Sequence, residues 1–151
     1  MAASTAAGLW TLLGAVAAAL VLGGIWRART GRVRKPAGAA RVGRGVVELP
    51  EELRERLAAR GGERVTLLQL SSTFCQPCRH TRVLLDDFAK RTEGVRHVEV
   101  DLTERPEWSD PLRVHTTPTT LALDDSGREL FRVGGVPRRS ALDAALQEHL
   151  G

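Results

Sequence analysis

The sequence predicts an α/β domain with a mixed central sheet flanked by helices on both faces, preceded by one N-terminal transmembrane helix. Three observations support this prediction. Between residues 46 and 151, short apolar runs typical of buried strands alternate with segments of helical periodicity. The turn sequence Asp124–Gly127 separates the last two of these strands. An almost wholly apolar run, Gly8–Trp26, lies ahead of the domain.

The run Gly8–Trp26 contains one polar residue, Thr11. As a helix it would be about 28 Å long, close to the roughly 30 Å hydrocarbon core of a bilayer. Trp10 and Trp26 lie near its ends, where indole rings favour the membrane interface. A cleaved signal peptide is the alternative. It is disfavoured because residues 1–7 carry no charge and basic residues follow the apolar run directly.

Charge is segregated along the chain. Residues 1–44 contain seven basic side chains and no acidic one, whereas residues 45–151 carry 15 basic and 18 acidic groups. This distribution argues against a nucleic-acid-binding protein, in which the folded part would carry the basic surface. The preference for arginine over lysine is typical of a GC-rich bacterial genome.

The basic segment 27–45 is interpreted as a flexible linker, which either lies against anionic lipid headgroups or is simply solvated. Basic residues near a membrane span stay on the cytoplasmic side. The asymmetry therefore predicts a single-pass cell-membrane protein with the short tail 1–7 outside and the domain 46–151 in the cytoplasm. Long domains can override this rule, and an extracytoplasmic domain is the alternative.

The first half of the domain predicts elements in this order. Val46–Leu49 is a short strand or an extended lead-in, and Pro50 opens a helix with acids in its first turn. Val65–Leu70 is an apolar run typical of a buried strand. The pattern from Cys75 to about Arg91 is helical, and Val95–Val100 alternates weakly as a strand.

In the second half, Thr103–Leu112 predicts a short or broken helix. Thr119–Leu123 and Glu129–Val133 predict strands joined by the turn Asp124–Gly127, whose glycine supplies a positive φ. Ser140–Leu150 closes the chain as an amphipathic helix. This order makes the first connection a right-handed βαβ unit with parallel strands, and the last two strands an antiparallel hairpin.

The only two cysteines form the motif Cys-Gln-Pro-Cys, from Cys75 to Cys78. The motif follows a predicted strand and opens a predicted helix, where backbone N–H groups and the helix dipole stabilise a thiolate. Cys75, the outer residue, is therefore expected to attack, and Cys78, nearly one turn further, to close a disulfide with it. Pro77 has no N–H to lose in the first turn.

A pair of inert buried thiols and half of a zinc site are the alternatives for this motif. Zinc takes four ligands, commonly including a second cysteine pair or a histidine pair. The histidines are scattered without ligand spacing, at His80, His97, His115 and His149. The sequence therefore predicts no metal and no bound cofactor.

The stretch Val46–Leu150 resembles a thioredoxin-fold domain of the thioredoxin family. The matching pieces are the Phe-Cys-Gln-Pro-Cys block, Val100-Asp101, Thr117-Pro118-Thr119, the Asp-Ser-Gly hairpin, Gly134-Gly135 and the final helix. The resemblance implies a thioredoxin-like fold and a thiol–disulfide oxidoreductase. Its substrates would be protein or peptide disulfides or dithiols, served by an electron donor that the sequence does not identify.

The resemblance also implies a substrate groove. In the family, the proline of the second block is cis and the preceding residue offers its backbone to a substrate strand, which implies these properties for Pro118 and Thr117. From the residues alone, Pro118 equally fits an ordinary turn proline, because cis proline is uncommon. The implied substrate contacts are Phe74, Gln76, Pro77, Thr117 and Pro118.

Three positions depart from the family pattern. Phe74 replaces a tryptophan, and Gln76 replaces a glycine in the dipeptide that tunes the redox potential. Gln69 replaces a buried aspartate that handles the proton of the resolving cysteine, and an amide cannot act as a base near neutral pH. His97 matches the lysine partner of that aspartate and is a candidate proton shuttle through water. A partly exposed strand residue is the interpretation of His97 that we favour.

These observations favour a membrane-tethered thiol–disulfide oxidoreductase. The alternative is a non-catalytic, redox-responsive thioredoxin-fold adaptor for a membrane partner. The intact cysteine pair argues against the adaptor, and Gln69 argues for it. Contact with membrane lipid is expected through the anchor, and no contact with nucleic acid is expected.

Overall fold

A computed structural model describes residues 2–29, 33–34, 47–59 and 62–150, and the chain forms two units, Met1–Thr30 and Gly31–Gly151. The first unit is helix α1, Ala2–Arg29. Its described side chains, Trp10 and residues 12–25, are all exposed. Among the residues that the structure describes, no helix has both the length and the hydropathy needed to cross a membrane.

Helix α1 bears on two of the predicted segments. It begins at Ala2, so the tail expected at residues 1–7 belongs to the helix from that residue onward. It ends at Arg29, inside the segment expected to be a linker. The structure describes two residues of the remaining linker, which form strand β1, Val33–Arg34. The other residues of the linker lie outside the described part of the chain. Membrane insertion of Gly8–Trp26 stays a prediction.

A mixed sheet organises the second unit. After β1, its strands are β2 Val65–Ser71, β3 Val95–Asp101, β4 Thr119–Asp124 and β5 Glu129–Gly134. Their order across the sheet is β1-β5-β4-β2-β3. β2 pairs in parallel with β3, whereas the β2–β4, β4–β5 and β1–β5 pairs are antiparallel. The parallel strand pair and the terminal hairpin are therefore confirmed.

Three helices accompany the sheet: α2 Glu51–Ala58, α3 Gln76–Arg91 and α4 Arg139–Leu150. α2 has acids in its first turn and α3 has basic residues in its last turn, as the helix dipole favours. The short helix expected within Thr103–Leu112 is a single 3-10 turn, Pro106–Trp108. Residues 47–50 form no regular structure, so the strand alternative for Val46–Leu49 is wrong at residues 47–49, and Val46 lies outside the described residues.

Apolar cores cover both faces of the sheet because successive strand residues point to opposite sides. In β2, Leu68 and Leu70 enter one core, while Val65 and Leu67 enter the other. The first core is closed by α2 and the 3-10 turn, through Leu53, Leu57 and Trp108. The second core is closed by α3 and α4, through Leu85, Phe88, Leu142 and Leu146. Every residue of β2 is buried, because the strand lies inside the sheet between β4 and β3 and is covered on both faces.

The hairpin turn depends on glycine at position 127. Gly127 has a φ of +80°, and an added Cβ would lie 2.9 Å from Leu49 Cδ1. Gly127→Ala is therefore expected to lower the free energy of unfolding by about 1–2 kcal/mol, the cost of placing an L-residue in the left-handed region. Gly134→Ala is the matched control, because no atom lies within 4 Å of its added Cβ. Urea unfolding followed by circular dichroism compares them, and equal stabilities would contradict the prediction.

Candidate active site

Cys75 occupies the N-cap of α3 and is joined to Cys78 by a disulfide. The strand β2 ends at Ser71, and the next residues turn the chain into the helix. The backbone N–H of Cys78 donates to Cys75 Sγ across 3.2 Å. A donor at a helix start stabilises negative charge on the sulfur that it faces. The geometry thus favours a thiolate at Cys75 when the disulfide is reduced.

The two cysteines differ in their access to solvent. Cys75 is half-buried, whereas Cys78 is 3% exposed. Disulfide exchange requires an attacking sulfur that reaches the substrate sulfur directly. Cys75 is the more accessible residue of the pair.

The implied substrate contacts lie beside Cys75 in the sequence or at the cis-proline turn, and they differ in exposure. Phe74 is 96% exposed, and Gln76 and Pro77 are exposed as well. Thr117 is half-buried and Pro118 is buried. The Thr117–Pro118 peptide bond is cis, as the resemblance implied. The exposed phenyl ring next to Cys75 offers apolar contact area to a bound peptide.

Ser72 connects the cis-proline turn to the segment that precedes Cys75. Its Oγ lies 3.1 Å from Thr117 Oγ1. The hydroxyl of Thr119 donates to the Thr116 carbonyl at 2.7 Å, which holds the other side of the turn. Nothing in the sequence pointed to Ser72, because its partner lies 45 positions away and no local pattern joins them.

Gln69 lies in a buried polar cluster that contacts the backbone of Cys78. Its Nε2 donates to the Cys78 carbonyl at 3.0 Å and to Glu99 Oε1 at 3.3 Å. Its Oε1 faces His97 Nε2 at 3.2 Å. The other ring nitrogen of His97 lies 2.5 Å from Asp86 Oδ1. The two residues singled out for proton handling, Gln69 and His97, are therefore in direct contact.

His97 is a partly exposed residue of β3, as the favoured interpretation has it, but its side chain is only 4% exposed. Both ring nitrogens have polar partners, one on α3 and one on β2. The weak alternation of β3 showed that His97 belongs to one face of the sheet. It could not show that a helix covers that face.

Glu99 and Asp86 complete the cluster, and neither was expected from the sequence. Glu99 is paired in register with Gln69 across β2 and β3. The alternation of β3 does put Glu99 on the same face as His97, so a signal for it existed. Asp86 had none, because it lies on a helix and meets the strand only in the folded chain.

Arg82 of α3 forms an ion pair with Glu99, whose side chain is 19% exposed. The hydrogen bond with Glu99, and then its negative charge, raise the pKa of the Arg82 guanidinium. The pair fixes the carboxylate at the rim of a cavity of about 290 Å³. The polar cluster therefore extends from Cys78 to this cavity.

Asp101 joins the turn before Cys75 to the end of β3. Its carboxylate accepts the Thr103 N–H at 2.8 Å and the Thr73 hydroxyl at 3.1 Å. The Thr73 N–H in turn donates to Thr103 Oγ1 at 3.0 Å. The backbone hydrogen bond from Thr103 is the largest of the causes that lower the pKa of Asp101.

Comparisons with known proteins agree with this geometry. The family model described as Thioredoxin matches residues 46–148. A thioredoxin H-type of Oryza sativa subsp. indica is 28% identical over 93 residues, covering 62% of this chain and 75% of the relative. Thioredoxin 1 of Nostoc sp. is 27% identical over 85 residues, covering 56% and 78%. The structure of Fasciola hepatica thioredoxin matches the fold with a TM-score of 0.56 at 22% identity, covering 65% of this chain and 92% of that one.

Asp101→Asn is expected to lower the free energy of unfolding by about 1 kcal/mol at pH 7, since it weakens hydrogen bonds to a charged acceptor. The pKa of Asp101 is lowered in the folded state. The contribution of the carboxylate is therefore present above its unfolded pKa of about 3.9 and is lost as the pH falls through the folded pKa.

Urea unfolding between about pH 2 and pH 7 measures this difference. Asp143→Asn, which removes the same charge from α4, is the control. A difference between wild type and Asp101→Asn that persists unchanged at the lowest pH would show that the charge of Asp101 does not stabilise the turn.

Proposed function

Since the chain belongs to the thioredoxin family, we propose that it is a membrane-tethered thiol–disulfide oxidoreductase in which Cys75 attacks and Cys78 resolves. The activity class itself follows from the thioredoxin relatives and from the Cys75–Cys78 disulfide. Its substrates are protein or peptide disulfides, and a separate reductant serves as electron donor. The tether and the distinct roles of the two cysteines are the proposed part.

One contact supports the distinct roles above all others, the hydrogen bond from the Cys78 N–H to Cys75 Sγ. A thiolate at Cys75 gains this charge-assisted bond together with the positive end of the α3 dipole. Cys75 is also the more exposed of the pair. Low thiol basicity and access are the two properties that select an attacking cysteine.

The reaction balances as follows in the reducing direction. The Cys75 thiolate attacks one substrate sulfur, and the other leaves as a thiolate that takes a proton from solvent. Cys78 loses its proton and attacks Cys75 Sγ, which releases the second substrate thiol. Two electrons pass to the substrate, and the protein keeps the Cys75–Cys78 disulfide. A dithiol donor then reduces the Cys75–Cys78 disulfide through two exchange steps of the same kind.

We assign substrate contact to the surface around the cysteine pair. The ring of Phe74 is available for apolar contact, and Gln76 and Pro77 are exposed beside it. The backbone of Thr117 is proposed to pair with an extended substrate segment, next to the cis Pro118. Because the Thr117 hydroxyl is bonded to Ser72, the turn is held in place before substrate arrives.

The proposed tether is α1. Its large apolar side chains are exposed along the helix, at Trp10, Leu12, Leu13, Val16, Leu20, Val21, Leu22 and Ile25. Exposed apolar side chains in such number mark an interaction surface, for which a membrane is one candidate. The run Gly8–Trp26 has one polar residue and the length of a bilayer core, so membrane lipid is the environment that it fits.

We propose that the domain lies on the cytoplasmic side of the cell membrane. All the basic residues within reach of the span follow it, and such residues remain in the cytoplasm. A cytoplasmic domain works in a compartment that keeps thiols reduced, so its net reaction is disulfide reduction. An extracytoplasmic domain would instead need electrons carried across the membrane.

A redox-responsive adaptor for a membrane partner is the second candidate. Gln69 favours it, because an amide replaces the carboxylate that the family uses as a base. Such an adaptor would open and close its disulfide without turning over substrate. Insulin reduction in the presence of dithiothreitol distinguishes the two, since only the oxidoreductase accelerates it.

Cys78→Ser is expected to accumulate mixed disulfides with its substrates, because the attacking thiol remains and the resolving thiol is lost. Cys75→Ser, the matched control, is expected to accumulate none. Non-reducing gels of the full-length protein in membranes, after acid quenching, measure both. Trapping by Cys75→Ser and not by Cys78→Ser would reverse the assigned roles.

An alkaline phosphatase fusion after Gly151 is expected to be inactive, and a matched β-galactosidase fusion active, because the domain is placed in the cytoplasm. The opposite pattern would contradict the orientation. N-terminal sequencing of the membrane fraction tests the anchor separately. A mature chain that begins downstream of Ala17 would show that the apolar run is a cleaved signal peptide.

A further inference from the structure

The buried polar cluster next to Cys78 contains a carboxylate in the place where the resolving step needs a base. We infer that Glu99 accepts the proton of the Cys78 thiol, with Gln69 and His97 as the residues that position it. This inference rests on the proposed function, because it assigns a proton acceptor to one step of that reaction.

The resolving step needs such a group because Cys78 is 3% exposed. Burial disfavours a thiolate, and the thiolate rather than the thiol attacks the mixed disulfide. The family places its base on the strand that here carries Gln69, and an amide cannot accept this proton. Another group within the cluster must therefore do so.

The orientation of the Gln69 amide follows from its partners. The Cys78 carbonyl and the Glu99 carboxylate both lie on one side of the amide, at 3.0 and 3.3 Å. Both groups accept hydrogen bonds, so the NH₂ of Gln69 must face them. The amide oxygen therefore faces His97.

This orientation excludes His97 as the acceptor. The Gln69 oxygen can only accept, so His97 Nε2 must carry a hydrogen. On the other side of the ring, Nδ1 lies 2.5 Å from Asp86 Oδ1, so one of these two atoms donates a hydrogen bond to the other. Whichever of the two donates, the ring offers no lone pair toward Gln69. His97 therefore fixes the amide and does not receive the proton of Cys78.

Glu99, unlike His97, offers an atom that can accept a proton. Its Oε1 is an acceptor that contacts the same Gln69 nitrogen as the Cys78 carbonyl does. Its other oxygen is held by Arg82. Glu99 also lines a cavity of about 290 Å³, enough for several water molecules. Water in this cavity can carry a proton from the carboxylate to solvent.

The charges that face Glu99 come from several elements. Arg82 and Asp86 lie on α3, and His97 and Asp101 lie on β3. The charged residues across the cavity are Glu52, Arg56, Glu104 and Arg105. Acids and bases nearly balance in this set. The direct ion pair with Arg82 therefore dominates the field at the carboxylate.

The proton balance of the step is complete with these groups. The Cys78 S–H bond breaks and the proton passes to Glu99. The Cys78 thiolate attacks Cys75 Sγ, the Cys75–substrate bond breaks, and the substrate leaves as a thiolate. Glu99 returns the proton through the cavity water, which protonates the released thiolate. No further oxidant or reductant is needed.

The test resolves the two steps in one experiment. Reduced full-length protein mixed with equimolar 5,5′-dithiobis(2-nitrobenzoate) releases two equivalents of thionitrobenzoate, the first by attack of Cys75 and the second by resolution through Cys78. Glu99→Gln is expected to slow the second phase about tenfold or more near pH 7 and to leave the first unchanged. The loss is expected to disappear at high pH, where hydroxide removes the proton.

Two further variants make the result specific. Glu99→Ala is expected to lose the second phase likewise and to regain it with added acetate, which the open cavity admits. Glu104→Gln removes a carboxylate from the same cavity and is expected to match wild type. Circular dichroism reports how much of each variant is folded, because the thiols of an unfolded chain also release thionitrobenzoate.

Three outcomes would overturn the inference. One is a second phase in Glu99→Gln that equals wild type at every pH. Another is a loss that is the same at every pH and is not restored by acetate, which indicates a structural role only. The third is a pH-dependent loss in His97→Asn in place of Glu99→Gln. Failure of wild type to release thionitrobenzoate through Cys75 would instead refute the proposed function.

Discussion

The hydrogen bonding of β2 on both of its edges is the constraint on which the rest of the domain depends. β3 pairs with β2 in parallel on one side, and β4 pairs with it antiparallel on the other. Its alternate residues enter two cores, so all of its side chains are buried. Strands on both edges and cores on both faces fix the position of β2, including its end at Ser71. The chain that follows Ser71 therefore places Cys75 at the start of α3 in one orientation.

The chemistry of the cysteine pair follows from the position of Cys75 at the start of α3. Cys75 caps the helix and receives the N–H of Cys78, whereas Cys78 turns inward toward the sheet. Cys75 therefore lies at the positive end of the helix dipole and is partly exposed, whereas Cys78 is buried. Two thiols of the same intrinsic acidity become unequal because of backbone geometry alone.

The distribution of charge next to Cys78 reflects the cost of burial. A carboxylate in β2 would be removed from water on every side, and an isolated buried charge is strongly disfavoured. The neutral Gln69 avoids this cost in the fully buried interior strand β2. The acid lies instead at Glu99 on the edge strand β3, where partial exposure and Arg82 compensate its charge. The chain therefore keeps a carboxylate near Cys78 without burying it in the centre of the sheet.

The sequence by itself determined the elements whose signal is local: the apolar run of β2, the helical period of α3, the glycine turn of the last hairpin and the Cys75–Cys78 spacing at a helix start. Each depends on residues within a few positions of one another, so periodicity and turn chemistry reveal it. Only the tertiary structure decided that the side chain of His97 is buried, that Glu99 contacts Gln69 and Asp86 contacts His97, and that Ser72 bonds to Thr117. These contacts join residues that are far apart in the chain or lie on different elements. The pairing of strands and the packing of α3 bring them together, and no local pattern records that packing.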